Sequence, residues 1–145
     1  MNTPWGKSDY RHEIERGVNW VGTPSHGGLV VTEKVAREKL TPEAIAQGEW
    51  YGSLICFEED CAYAVALFEV PEWCEKSVAL WAEKRTPEEW HTEFYRTITV
   101  WCLDYLRACG LPPIDSESEA RYYQIRRELD EWQASNRALL AGGKA

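Results

Sequence analysis

The sequence predicts an α+β fold: a small antiparallel or mixed sheet in the N-terminal half, packed against a helical C-terminal half that contains an antiparallel helix hairpin. Three observations lead there. Strand-forming strings (GVNWVGT, LVV, WYGSLICF) all lie before residue 58. Two helix-start signals, TPEE at Thr86 and SESE at Ser116, lie well after it. Behind each signal, apolar residues recur every three or four positions.

Along the chain, GVNWVGT from Gly17 reads as a strand, interrupted by Pro24 and the Gly27-Gly28 pair and resumed by Leu29–Val31. Thr32 then caps a short helix over EKVAREKL, and Thr41-Pro42 starts another that ends at Gly48. WYGSLICF returns to extended chain and should pair with the earlier strands. AYAVALFEV is apolar throughout, so it fits a buried strand or a short helix equally well.

Pro71 opens a helix that should run to about Arg85, with Trp73, Ser77 and Leu80 on one face. At Thr86-Pro87-Glu88-Glu89 the Thr hydroxyl can accept from the Glu89 N–H while the Glu89 carboxylate reaches back to Thr86, a capping box. Trp90, Phe94, Ile98, Trp101 and Tyr105 then trace one stripe until Gly110 supplies a left-handed exit. Ser116–Glu119 repeats the box, and Tyr122, Ile125, Leu129, Trp132, Asn136 and Leu139 follow as a narrow helix-pairing seam. A lone seam should pack within its own chain first, although it could also serve a second copy and make a homodimer. The 145 residues fit one domain: a mixed body over 1–70, a helical part over 71–141, and a tail over 142–145 that should fray.

Composition narrows the function. A net charge of −8, spread over both halves, disfavours nucleic acid and anionic membrane as direct partners, since both call for a basic field. Mimicry of DNA would need a dense carboxylate stripe, and the one run of three acids is Glu58-Glu59-Asp60. Five cysteines without a CxxC pair indicate a reducing compartment, and the N-terminus lacks a signal-peptide core, so a cytoplasmic location is expected. Most of the eight Trp, seven Tyr and three Phe are needed to fill a modest core, which leaves a minority for a binding surface.

Chemistry, if any, would lie in SHGG (Ser25–Gly28) and FEEDCAYA (Phe57–Ala64). His26 could act as a general base or metal ligand, with Glu58, Glu59 or Asp60 orienting it or sharing the ion, and Cys61 lining the pocket. Against that, Ser25 and His26 can simply hydrogen-bond a tight turn while the glycines supply positive φ or a close backbone approach. The three acids can equally serve the first turn of a helix or a turn between strands. Cys61 beside three carboxylates is a poor thiolate and reads as a packed apolar residue. No HxxxH, HxH or CxxC spacing prearranges ligands, and His12 and His91 stand alone, so no metal, cofactor or catalytic residue is favoured.

The opening MNTPWGKSD, the string VNWVGTPSHGG and the string FEEDCAYA, which has an aromatic residue on either side of its acids, resemble a family of small phage and mobile-element proteins of unknown function. The similarity runs from Thr3 to roughly Pro71. The resemblance implies a cytoplasmic accessory protein that binds a host protein complex, such as an inhibitor of a CRISPR or restriction system. The alternative is a small metal- or His-dependent enzyme built on the SHGG and EEDC segments.

Overall fold

The structure, a computed structural model, describes residues 1–142. Strands β1 (Asn2–Thr3) and β2 (Gly6–Lys7) form a small ribbon, followed by β3 (Tyr10–Glu15), β4 (Val18–Gly22), β5 (Gly27–Thr32), β6 (Glu49–Tyr51) and β7 (Leu54–Glu58). The last five build one antiparallel sheet in the order β3-β4-β5-β7-β6. WYGSLICF is therefore a hairpin and not one strand, with its turn at Gly52, whose φ of 62° favours glycine.

Strand alternation divides the sheet's side chains between two cores. Trp20, Leu29 and Phe57 form one cross-strand row and Val18, Val31 and Ile55 the next, and this face is sealed by the helices. On the other face Val21, Val30 and Cys56 close against Met1, Trp5 and Leu54, so the N-terminal ribbon is the cover that a half-buried sheet would lack.

Helices α1 (Glu33–Lys39) and α2 (Pro42–Ile45) start at Thr32 and Thr41, whose hydroxyls accept from Val35 N at 3.4 Å and Ala44 N at 3.1 Å. The ambiguous AYAVALFEV is helix α3 (Tyr63–Glu69), and four consecutive buried residues, Ala64 to Leu67, explain why it shows no amphipathic period. Helix α4 (Pro71–Val78) ends seven residues before Arg85; Trp73 and Ser77 point inward as the spacing requires, but Leu80 lies beyond the helix and is exposed. Ser77 is buried because its hydroxyl accepts from Trp20 Nε1 at 2.7 Å, across from the sheet.

Helix α5 (Pro87–Trp101) forms the expected capping box: Glu89 N donates to Thr86 Oγ1 at 3.2 Å and Thr86 N to Glu89 Oε1 at 3.3 Å. Trp90, Phe94 and Ile98 are buried, but the stripe then departs from its reading, because Trp101 is exposed and Cys102 takes the inward place. The buried line continues in steps of four through Trp90, Phe94, Ile98 and Cys102, each step turning it about 40° further round the helix. The backbone breaks at Cys102, and the short helix α6 (Leu103–Ala108) returns Tyr105 to the core before Gly110, at φ 70°, ends it. Glu69 ties these pieces together: it accepts from Thr41 N at 2.9 Å, Thr41 Oγ1 at 2.6 Å and Tyr105 Oη at 2.6 Å. Burial, and then this carboxylate, push the Tyr105 phenol well above its ordinary range.

Past Gly110 the chain runs beside α5, where Tyr95 donates to the Pro112 carbonyl at 2.5 Å and Ile114 N to Thr99 Oγ1 at 3.2 Å. Helix α7 (Ser116–Gly142) follows, and its cap is Asp115, one residue earlier than the SESE reading, with Ser118 N donating to Asp115 Oδ1 at 2.6 Å. The seam packs on its own chain only at its start, where Tyr122 meets the core. Tyr122, Ile125 and Asn136 are half-buried, while Leu129, Trp132 and Leu139 are 40%, 63% and 71% exposed. Length is the reason, since α5 spans roughly 22 Å and α7 roughly 40 Å at 1.5 Å per residue. The fraying expected over 142–145 lies outside the described residues, apart from Gly142, which closes α7. No helix among the described residues is long and apolar enough to cross a membrane.

Candidate functional site

Sheet register brings SHGG and EEDC together. Gly28 pairs with Glu58 across β5 and β7, and Glu59 N donates to the Gly27 carbonyl at 3.0 Å, extending the ladder one step. The tip of the β4–β5 turn thus sits beside the exit of β7. Thr23 closes that turn with His26, where the sequence suggested Ser25 and His26: the Thr23 N–H and hydroxyl both donate to the His26 carbonyl at 2.7 Å, and Thr23 Oγ1 accepts from His26 N at 3.1 Å. The glycines do not supply positive φ. They supply proximity, since a Cβ on Gly27 would lie 2.6 Å from the Val21 carbonyl oxygen, and one on Gly28 only 2.2 Å from that of Phe57.

His26, Glu58 and Asp60 meet here, with one ligand atom of each within 4.8 Å of the others. His26 Nδ1 lies 3.7 Å from Glu58 Oε1, outside hydrogen-bond reach, and the two side chains are 51% and 41% exposed. The acids do not load the first turn of a helix as the sequence allowed: α3 begins at Tyr63, and its first turn holds no acidic residue. Cys61 is half-buried, and burial, with Glu58 and Asp60 nearby, pushes its thiol above the ordinary range. Its Sγ sits 4.0 Å from Glu58 Oε2. His12 lies elsewhere, on β3 opposite Trp20, and the His91 ring packs 4.7 Å from that of Phe68.

Glu59 and Asp60 also border a feature that the sequence did not reveal, an open groove of about 590 Å³ between the sheet and residues 80–83. Trp20, Tyr63 and Trp81 wall it, with ring centroids 5.9 to 6.3 Å apart in tilted and edge-on contact, and Tyr10 and Glu83 also line it. These rings come from positions 10, 20, 63 and 81, and the surplus of aromatic residues was the only trace of them in the sequence. Burial, then Glu93 and Asp60, push the Tyr63 phenol upward. Trp90 lines both this groove and an apolar slot of about 120 Å³ between α4 and α5, where the Arg85 guanidinium stands 5.1 Å from the Trp90 ring.

No curated protein and no solved structure matches the chain. A family described as Domain of unknown function (DUF7007) matches residues 1–109, extending past Pro71 through the whole of α6 and stopping before α7. The chain belongs to that family.

Proposed function

We propose that the protein is a binding module that docks a basic segment of a partner protein in the aromatic groove. The observation carrying this reading is the pairing of an indole and phenol wall (Trp20, Tyr63, Trp81) with the carboxylates of Glu59, Asp60 and Glu83. Aromatic faces attract a guanidinium or ammonium by about 0.5–1 kcal/mol at exposed sites and by about 2 when water is excluded. Glu59 and Asp60 add charge-assisted hydrogen bonds, Glu83 being already paired with Arg85 at 2.6 Å, and the net charge of −8 favours a basic partner. The sequence resemblance supplies the class of partner: a bacterial host complex, with inhibition of a CRISPR or restriction machine in the cytoplasm as the activity.

Affinity capture from bacterial lysates with the wild type and a Glu59→Lys/Glu83→Lys variant tests the reading. A stoichiometric partner held by the wild type, released by salt and bound at least roughly tenfold more weakly by the variant is expected. A partner retained equally by both, or none from several hosts, would overturn it.

A second reading, a small enzyme built on His26, Glu58 and Asp60, is favoured by the meeting of those three residues. Turnover lost in His26→Ala but kept in Glu59→Lys/Glu83→Lys would decide for it.

A further inference from the structure

We propose that His26, Glu58 and Asp60 form a binding site for one divalent transition-metal ion, zinc first among them, at the edge of the groove that Asp60 also lines. The donors come from two segments fixed by the sheet: His26 from the β4–β5 turn, Glu58 and Asp60 from the exit of β7. The donor set is one imidazole nitrogen and two carboxylate oxygens, which suits zinc better than magnesium, an ion that prefers oxygen ligands and retains its waters.

The spacing fits as well. Two donors bound to a tetrahedral zinc at about 2.0–2.1 Å stand roughly 3.4 Å apart. His26 Nδ1 and Glu58 Oε1 are 3.7 Å apart, too far to hydrogen-bond each other and a few tenths of an ångström from that bite. The remaining donor lies within 4.8 Å and belongs to the exposed Asp60, whose side chain can rotate inward. Among the described residues neither the His26 ring nor the Asp60 carboxylate makes a side-chain hydrogen bond, so both are available to an ion. A cation there would also relieve the repulsion between Glu58 and Asp60. Three protein donors leave a fourth position for water.

The test is calorimetric titration of chelator-treated protein with zinc chloride alone. One zinc per chain is expected, with affinity falling at least about tenfold in His26→Ala and in Asp60→Asn. A Cys109→Ser variant, which removes the exposed thiol, should retain it. Circular dichroism confirms that each variant is folded. No saturable zinc binding, equal binding by His26→Ala, loss confined to Cys109→Ser, or equally tight binding of magnesium would each overturn the proposal.

Discussion

In the family-matched body, Leu29, Phe57, Trp73, Phe94 and Leu103 are sealed to 1% exposure or less, and the chain crosses between sheet and helices repeatedly to achieve it. In α7, Leu129, Trp132 and Leu139 stand at the same kind of helical spacing and face solvent. Periodicity therefore reports that a helix has an apolar face, and it does not report what covers that face. The body is held by contacts distant in sequence, whereas α7 is held by its first turns against α5 and by its cap.

The largest effect should come from Trp73→Ala, which empties a fully buried site and removes the indole N–H donated to Glu15; about 3–5 kcal/mol of stability should be lost in urea denaturation. If the loss were small, the buried contacts around Trp73 would not hold the body together. Next, Glu69→Ala removes the acceptor shared by Thr41 and Tyr105, at a cost of about 1–3 kcal/mol by the same measurement. Thr86→Ala, which deletes one half of the capping box of α5, should cost about 1 kcal/mol.

Trp132→Ser brings the comparison to α7. Its effect on the isolated chain should stay within about 0.5 kcal/mol, as for a surface position. A larger loss that depended on protein concentration, seen by sedimentation equilibrium, would mean that a second copy covers the seam. The smallest effect concerns Asp115, whose carboxyl is held below the usual carboxylate range chiefly by the Ser118 backbone N–H. With a folded value below the unfolded one, its contribution is present above the ordinary carboxylate pKa and fades as pH falls through the depressed folded value. In acid titrations followed by circular dichroism, the wild type should lose this extra helicity in that low range, and Asp115→Asn should not show the corresponding step.

Much of the architecture was legible because it rests on local chemistry. Thr32, Thr41 and Thr86 cap where their sequences say they should, and Gly110 ends its helix in the left-handed region. The α3 assignment was not legible, because a segment buried on all sides has no period to display. The hairpin within WYGSLICF is hard to read because Gly52-Ser53 is a weak turn signal amid strand formers. The site divides along the same line. SHGG and EEDC each carried a visible signal, while their register, and the gathering of Trp20, Tyr63 and Trp81 from three distant segments, are properties of tertiary packing alone.

The close rings of that wall have an optical consequence. Tyr63 sits 5.9 Å from one indole and 6.3 Å from another, near enough for its excitation energy to pass to them before it is radiated. Light absorbed by the phenol should emerge as tryptophan emission from the groove itself, so that a guest settling there would announce its arrival by dimming or recolouring it, without any dye attached.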